Sequence, residues 1–345
     1  MKFLESTNPQ ISITGRNKKT PHNSLRFSFP GISIKLKIKN ASVLARMQDF
    51  GVEGMNNHFN IIVDSEFQSV IKLSNEQKDI SIFEKHDENW HTIELFKRTE
   101  SLVGECEFFG FWVDEDAIIE TVEEPKLLIE FIGDSITCGY GNEANRASDE
   151  FKDSTENAWL SYSSVAARKL KARHTMICFS GKGVYRNWAS EPFEGTNMSE
   201  IYLRTLAEKQ DSKWDFSKQR PSMVIVNIGS NDFSPPHFAN EKLFTKAYST
   251  FIKTIRENYG KDCFLFCVTG PVLVKSLGNK LNTYVKSIVE YENKNGDSRI
   301  FFFPLTRQDG KLGFGAQWHP NIAQSEINGI EVANFIRECT DLQIN

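Results

Sequence analysis

The chain has 345 residues, a length that favours two domains over a single hydrophobic core. Hydrophobic residues make up 39% of it and charged residues 25%, and the formal net charge of −4 disfavours a nucleic-acid-binding protein. No apolar run approaches the roughly 20 residues that span a bilayer, so no membrane-spanning segment is expected.

The chain starts with Met-Lys-Phe-Leu-Glu-Ser and reaches an acidic residue before any apolar stretch forms. This start does not resemble a signal peptide and predicts a cytoplasmic protein, whereas a processed start would be compatible with secretion. The basic residues Arg16, Lys18 and Lys19 lie in a polar segment and are interpreted as solvated surface. The cysteines form no Cys-x-x-Cys pair, which disfavours a zinc site and is compatible with a reducing compartment.

The first third of the chain alternates apolar and polar residues with a period of two. Leu25, Phe27 and Phe29 alternate in this way, and so do the residues of 32–38. Further short runs at 60–64, 79–83 and 91–97 are separated by turn residues. Half-buried antiparallel strands have this pattern, so we predict a β-sandwich domain over residues 1–122.

An acidic stretch at 114–124, closed by Pro125, marks the predicted domain junction. Beyond it the apolar runs are continuous, as in strands buried on both faces of a parallel sheet. Helical segments are predicted between them at 157–172 and 244–258. We therefore predict an α/β domain over residues 126–345 with a five-stranded parallel sheet, its strands at 127–132, 175–179, 223–228, 263–268 and 300–303.

Chemically useful residues follow several of these predicted strands. Ser135 comes after the first strand in Gly-Asp-Ser, Gly181 after the second, and Asn231 after the third, while His319 lies in a loop beyond the fifth. Because the carboxyl ends of parallel strands meet at one edge of a sheet, these residues are expected to converge. Each alone has a plainer interpretation as a turn or surface residue; together, in this order, they favour a catalytic site.

The four residue types suit acyl transfer. Ser135 would be the nucleophile and His319 the base that takes its proton. The backbone N–H groups of Ser135 and Gly181 and the side-chain amide of Asn231 would form the oxyanion hole. The sequence therefore predicts a serine esterase.

These four blocks resemble the SGNH (GDSL-type) hydrolase superfamily. Longer runs resemble family 2 of the carbohydrate esterases: Gly-Asp-Ser-Ile-Thr-Cys-Gly-Tyr-Gly at 133–141, the run at 180–187, Trp-His-Pro at 318–320 and the run from His91 to Glu100. The resemblance implies a jelly-roll domain before a flavodoxin-like hydrolase domain. It also implies removal of acetyl groups from plant polysaccharides such as xylan or mannan, without a metal or organic cofactor.

The chain departs from the pattern of these families at one point. An Asp is expected two or three residues before the catalytic His, but Gln317 and Ala316 occupy those positions. A main-chain carbonyl of this segment, or the Gln317 side chain, would then orient His319; alternatively Asp309 would reach in from elsewhere. We predict a Ser-His dyad.

Residues near the site suggest a saccharide substrate. Trp318, Tyr185 and Trp188 could stack on sugar rings or instead fill the core, and Arg186 and Asn187 could bind hydroxyls or instead fix a loop. No long apolar lid is visible, which favours acetyl over lipid substrates. The alternatives are a general short-chain esterase, or a saccharide-binding protein with a decayed site. The expected partner is an acetylated oligosaccharide or polysaccharide, and a homo-oligomer is left open.

Overall fold

The computed structural model describes residues 1–235 and 238–340. Its N-terminal part consists of short strands joined by turns. These are β1 (Lys2–Glu5), β2 (Ser12–Thr14), β3 (Lys18–Lys19), β4 (Leu25–Phe27), β5 (Ser33–Lys39), β6 (Ala41–Gly51), β7 (His58–Val63), β8 (Glu66–Lys72), β9 (Lys78–Lys85), β10 (His91–Lys97), β11 (Gly104–Val113) and β12 (Ile118–Glu120).

These strands form two antiparallel sheets that pack face to face. One sheet has the order β3-β4-β11-β6-β9 with β1 on β11, and the other has the order β12-β5-β10-β7-β8 with β2 on β5. Alternate residues of β5, among them Ile34, Leu36 and Ile38, are buried in the shared core, as the period of two predicted. The predicted β-sandwich is confirmed.

Two central strands, β6 and β11, were not among the strands predicted from sequence. The buried face of β6 includes Ala41 and Ala45, which give a weak apolar signal. In β11 the register shifts between Phe108 and Gly110, so the alternation of apolar residues is interrupted.

The second domain is built on a parallel sheet. In the described part of the chain its strands are β13 (Leu128–Gly133), β14 (Arg173–Cys178), β15 (Met223–Asn227), β16 (Phe264–Thr269) and β17 (Ile300–Pro304). Their spatial order β14-β13-β15-β16-β17 is that of a flavodoxin-like sheet, and the prediction of a five-stranded parallel sheet is confirmed.

Helices cover both faces of this sheet. They are α1 (Ser135–Cys138), α2 (Tyr162–Lys169), α3 (Met198–Ile201), α4 (Glu241–Tyr259), α5 (Lys275–Lys294) and α6 (Ile322–Cys339). The segment predicted as one helix at 157–172 is a 3₁₀ turn (Ala158–Leu160) followed by α2. Among the described residues, no helix has the length and apolar character needed to cross a membrane.

Each face of the parallel sheet has its own apolar core. On one side Val226 and Leu265 pack with residues of α4 and α5, and on the other Phe131 and Phe266 pack with residues of α2 and α6. Burying such a side chain stabilises the fold by about 1.5–3 kcal/mol. The cores hold the strand ends, and hence the loops that follow them, in fixed positions.

Arg16 links the two domains and corrects one prediction. Its side chain is only 1% exposed. The guanidinium pairs with Glu130 of β13 at 3.3 Å and donates hydrogen bonds to the carbonyl oxygens of Tyr202 and Arg204. Arg16 is therefore not part of the solvated surface. Its position follows from Glu130, since a buried acid requires a cationic partner.

Candidate active site

Ser135 is the first residue of α1 and directly follows the sharp turn that ends β13. The preceding Asp134 caps the helix by accepting a hydrogen bond from the Ile136 N–H at 3.0 Å. At Gly133 an added Cβ would lie 2.0 Å from the Thr137 hydroxyl and 2.8 Å from the Asn227 carbonyl oxygen. The turn therefore requires glycine, and it presents Ser135 at the carboxyl edge of the sheet.

His319 contacts Ser135. Its Nε2 lies 2.9 Å from the Ser135 hydroxyl oxygen, and its Nδ1 lies 3.0 Å from the carbonyl oxygen of Ala316. A carbonyl oxygen can only accept, so Nδ1 carries the proton and the Nε2 lone pair faces the serine hydroxyl. This is the arrangement that a general base requires.

The carbonyl reaches the ring because the preceding turn has an unusual backbone. Gln317 and Trp318 have φ values of 48° and 58°, in the left-handed region that non-glycine residues rarely occupy. Hydrogen bonds hold them there: their N–H groups donate to the carbonyl oxygens of Asp149 and Ala147, and Gln308 donates to the Trp318 carbonyl. The surrounding loops thus fix the acceptor that orients His319.

The structure separates the alternatives for orienting His319. The Gln317 side chain lies elsewhere, accepting from the Tyr140 hydroxyl at 2.6 Å and donating to Glu150 at 2.9 Å. Asp309 is an exposed residue whose carboxylate pairs with Lys311 at 2.8 Å. Of the groups considered, the main-chain oxygen of Ala316 lies at Nδ1.

The electrostatic setting of His319 keeps its ring neutral. Burial lowers the pKa of His319 to about 4, although the hydrogen bonds to the backbone of Ala316 and Gln317 oppose this shift. Tyr140 packs against the imidazole with ring centroids 4.4 Å apart, and it stacks on Phe151 at 4.3 Å. Tyr140 was not singled out from sequence, although it lies in the run at 133–141.

Gly181 and Asn231 lie beside the nucleophile. Gly181 has a φ of 77°, and the nearest atom to an added Cβ, the Cβ of Trp188, would be 3.9 Å away. The Asn231 amide donates to Asp134 at 3.1 Å and to the Lys182 carbonyl oxygen at 2.9 Å. Asn231 therefore bridges the turn before Ser135 and the glycine loop, residues 180–183. To donate to an oxyanion, its amide must exchange one of these two bonds.

Asp232 holds the same glycine loop and was overlooked as a functional residue. Its buried carboxylate accepts hydrogen bonds from the N–H groups of Val184, Tyr185 and Arg186 at 2.9–3.0 Å. Burial raises the pKa of Asp232 to about 6 against the effect of these bonds. The sequence signal for this role was a carboxylate residue directly after Asn231.

The structure places three of the predicted substrate-binding residues where their polar groups bond within the protein. Tyr185 and Arg186 are each only 1% exposed. Tyr185 accepts from the Asn240 N–H, and the Arg186 guanidinium donates to the carbonyl oxygens of Asp232, Ser190 and Ser234. The Asn187 amide donates to the carbonyl oxygens of Glu194 and Thr196. These bonds favour the interpretation that the three side chains fix the loop.

The remaining two candidates are exposed tryptophans. Trp188 is 66% exposed and its backbone N–H donates to the Gly181 carbonyl oxygen, while Trp318 is 61% exposed and directly precedes His319. Exposed aromatic side chains near a catalytic site offer stacking surfaces for sugar rings. In the described residues, no group of three or more His, Cys, Asp or Glu side chains is arranged to hold a metal ion.

Comparisons with known proteins match both domains. Residues 13–121 match the family model Carbohydrate esterase 2 N-terminal, and residues 129–330 match the model GDSL-like Lipase/Acylhydrolase. The chain is 25% identical over 340 residues to an acetylxylan esterase / glucomannan deacetylase of Cellvibrio japonicus, covering 98% of this chain and 91% of that protein.

It is 32% identical over 323 residues to the cellulase/esterase CelE of Acetivibrio thermocellus, covering 94% of this chain but only 39% of CelE. The chain thus spans about two fifths of the length of that relative. A solved family two carbohydrate esterase from Clostridium thermocellum, in complex with cellohexaose, superposes with a TM-score of 0.89 at 32% identity, covering 95% of this chain and 98% of that one. The resemblance predicted from sequence is confirmed, and the chain belongs to family 2 of the carbohydrate esterases, which are carboxylic ester hydrolases.

Proposed function

We propose that this protein removes O-acetyl groups from sugars derived from plant polysaccharides, xylan or mannan oligosaccharides, through an acyl-enzyme on Ser135. The observation that carries the proposal is the contact of 2.9 Å between the Ser135 hydroxyl and a His319 ring whose other nitrogen faces a carbonyl oxygen. The Cellvibrio japonicus relative, an acetylxylan esterase / glucomannan deacetylase, supports the choice of substrate.

Acylation begins when His319 Nε2 takes the hydroxyl proton of Ser135 as its oxygen attacks the acetyl carbonyl carbon. The carbonyl π electrons move onto oxygen, and the backbone N–H groups of Ser135 and Gly181, with the Asn231 amide, would stabilise that charge. When the tetrahedral intermediate collapses, His319 returns the proton to the departing sugar oxygen. Acetyl-Ser135 remains.

Deacylation repeats these steps with water as the nucleophile. His319 takes a proton from the water as its oxygen attacks the acyl carbon, and then protonates Ser135 as acetate leaves. Throughout, the Ala316 carbonyl holds the Nδ1 proton and so preserves the tautomer. It carries a dipole and no full charge, so it stabilises the imidazolium less than a carboxylate would.

Saccharide binding without turnover is a second candidate function. Two observations favour it: the exposed Trp188 and Trp318 beside the dyad, and the solved relative that holds cellohexaose. A general short-chain esterase is the remaining alternative. Comparing acetyl, butyryl and longer p-nitrophenyl esters tests it, because a preference for the longer chains contradicts the acetyl assignment.

The deciding experiment is acetate release from acetylated xylo- and manno-oligosaccharides, with the position of the lost acetyl group resolved by NMR. Ser135→Ala is the control, and we expect it to abolish release while leaving the folded state intact. Retention of full activity in Ser135→Ala would falsify the proposal, and tight oligosaccharide binding without acetate release would favour the second candidate. The cytoplasmic location stays a prediction, which cell fractionation tests.

A further inference from the structure

The run from His91 to Glu100 lies mostly on β10 of the sandwich, yet its last residue reaches the catalytic domain. Glu100 follows β10 by three residues, and its side chain is 0% exposed. The dyad does not contact it, and the proposed mechanism gives it no role. A fully buried carboxylate must nevertheless be held by donors.

The donors that hold Glu100 belong to the two segments of the active site. Its carboxylate accepts a hydrogen bond from the Ser180 N–H at 2.7 Å and another from the Ser180 hydroxyl. The Cys138 thiol lies 3.5 Å from the same carboxylate. Ser180 directly precedes Gly181, and Cys138 ends the helix that Ser135 begins. The Glu100 side chain thus joins the helix that Ser135 begins to the loop that contains Gly181.

Glu100 is itself fixed by its neighbours in the run. Its N–H donates to the Glu156 carboxyl at 2.9 Å, and the buried Lys97 ammonium donates to the carbonyl oxygens of Thr99 and Glu100. Arg98 is also buried and donates to the Glu156 carbonyl oxygen at 2.7 Å. These hydrogen bonds therefore hold the end of the run, residues 97–100, firmly against the catalytic domain.

The surroundings of Glu100 affect the pKa of its carboxyl group in opposite directions. Burial raises the pKa of both Glu100 and Glu156, and the neighbouring Glu100 carboxyl raises that of Glu156 further. The hydrogen bonds from Ser180 act in the opposite direction on Glu100. The hydrogen bonds from Ser180 therefore favour the ionised form of Glu100, which is the form that accepts them.

Gly181 depends on such outside support. It has no side chain, and an added Cβ would lie no closer than 3.9 Å to any other atom outside its chain neighbours. Its place is set by three hydrogen bonds: from the Ser180 N–H to Glu100, from the Asn231 amide to the Lys182 carbonyl oxygen, and from the Trp188 backbone N–H to the Gly181 carbonyl oxygen. The stabilisation of an oxyanion falls steeply when a donor is displaced.

We propose that Glu100 is a positioning residue. From the sandwich domain it holds Ser180 in place, and it thereby orients the N–H of the next residue, Gly181, towards the oxyanion. The inference rests on the proposed function, because it takes that N–H as an oxyanion donor. It follows that the sandwich domain completes the active site of its neighbour.

The test compares Glu100→Ala, Glu100→Gln and a matched control in the full chain. The control is Glu94→Ala. Glu94 lies on β10, in the same run as Glu100, and also accepts from a serine hydroxyl, that of Ser33, but it lies outside the site. For p-nitrophenyl acetate we expect Glu100→Ala to lower kcat about ten- to a hundredfold, less than the full loss of an oxyanion donor, with KM within about threefold. Glu100→Gln, which keeps one acceptor oxygen, should fall between it and the wild type.

We expect Glu94→Ala to keep kcat within about threefold of the wild type, and the acid limb of the pH profile to stay unchanged in all variants. A folded Glu100→Ala with the kcat of Glu94→Ala, or one whose loss appears only in KM, overturns the inference. If Glu100→Ala does not fold, Glu100→Gln decides instead, and a wild-type kcat there overturns it. Full activity of Ser135→Ala would show instead that the proposed function has failed.

Discussion

The imidazole Nδ1 of His319 lies 3.0 Å from the main-chain oxygen of Ala316, three residues earlier in the chain. In Ser-His-Asp proteases a carboxylate occupies this place, and replacing it by its amide lowers turnover by about 10⁴, mostly because the wrong tautomer forms. A carbonyl oxygen selects the right tautomer without a carboxylate. The dyad is therefore chemically complete as a base, although it lacks the full negative charge.

The acids nearest in sequence should be dispensable. We expect Asp309→Ala to keep kcat within about twofold of the wild type, because Asp309 is exposed and pairs with Lys311. Gln317→Asp should bring no gain, since that side chain contacts Tyr140 and Glu150 and not the imidazole. Steady-state kinetics on p-nitrophenyl acetate measures both. Loss of activity in Asp309→Ala would show that this acid reaches the site during turnover.

The pH profile should reflect the buried histidine. An ordinary histidine has a pKa near 6.5, and burial lowers that of His319 to about 4. Since the neutral ring is the base, kcat/KM should be constant near neutrality and fall as the pH drops through about 4. The profile is measured with p-nitrophenyl acetate in buffers of constant ionic strength. An acid limb near pH 7 would instead point to Asp134, because burial raises its pKa to about 7.

Replacing Gly181 by alanine should lower both stability and activity, for two separate reasons. Gly181→Ala places a side chain at a φ of 77°, which costs about 1–2 kcal/mol, and it shifts an oxyanion donor, which lowers kcat by about 10². The matched control is Gly260→Ala, at a φ of 80° after α4 and with open space around an added Cβ. It should show the stability loss alone by thermal unfolding. Equal kcat values for the two variants would contradict the oxyanion role.

The exposed tryptophan beside the glycine loop should matter for saccharides only. We expect Trp188→Ala to raise KM for acetylated oligosaccharides about tenfold, the loss of roughly 1.4 kcal/mol of stacking, and to leave KM for p-nitrophenyl acetate unchanged. Trp90→Ala is the control, since Trp90 lies on the sandwich beside Lys37 and Lys39. An equal rise for both substrates would indicate that the loop itself has moved.

The residues that follow strands could be placed from sequence. Ser135, Gly181 and Asn231 each follow a strand of one parallel sheet, and the ends of such strands meet at one edge whatever the helices do. The acceptor at His319 Nδ1 could not be placed, because it depends on the left-handed backbone at Gln317 and Trp318. Residue type does not indicate this conformation outside glycine and asparagine.

Burial was the other quantity that sequence could not supply. Tyr185 and Arg186 are suited to binding sugars by residue type, and only the fold shows that Asn240 and the carbonyl oxygens around Asp232 occupy their polar groups. Arg16 was misjudged for the same reason. Its partner Glu130, an acid inside a continuous apolar strand, was the sign that a buried cation had to come from elsewhere.

The Ala316 carbonyl also has a consequence for genetics. A peptide oxygen belongs to no side chain, so no amino-acid replacement at position 316 deletes it. A scan of single substitutions would detect Ser135 and His319 and yet miss the group that orients His319. The backbone conformation of the turn at 316–318 places this carbonyl group, which is the third group of the proposed catalytic site. Removing it by mutation would therefore require replacing the turn itself.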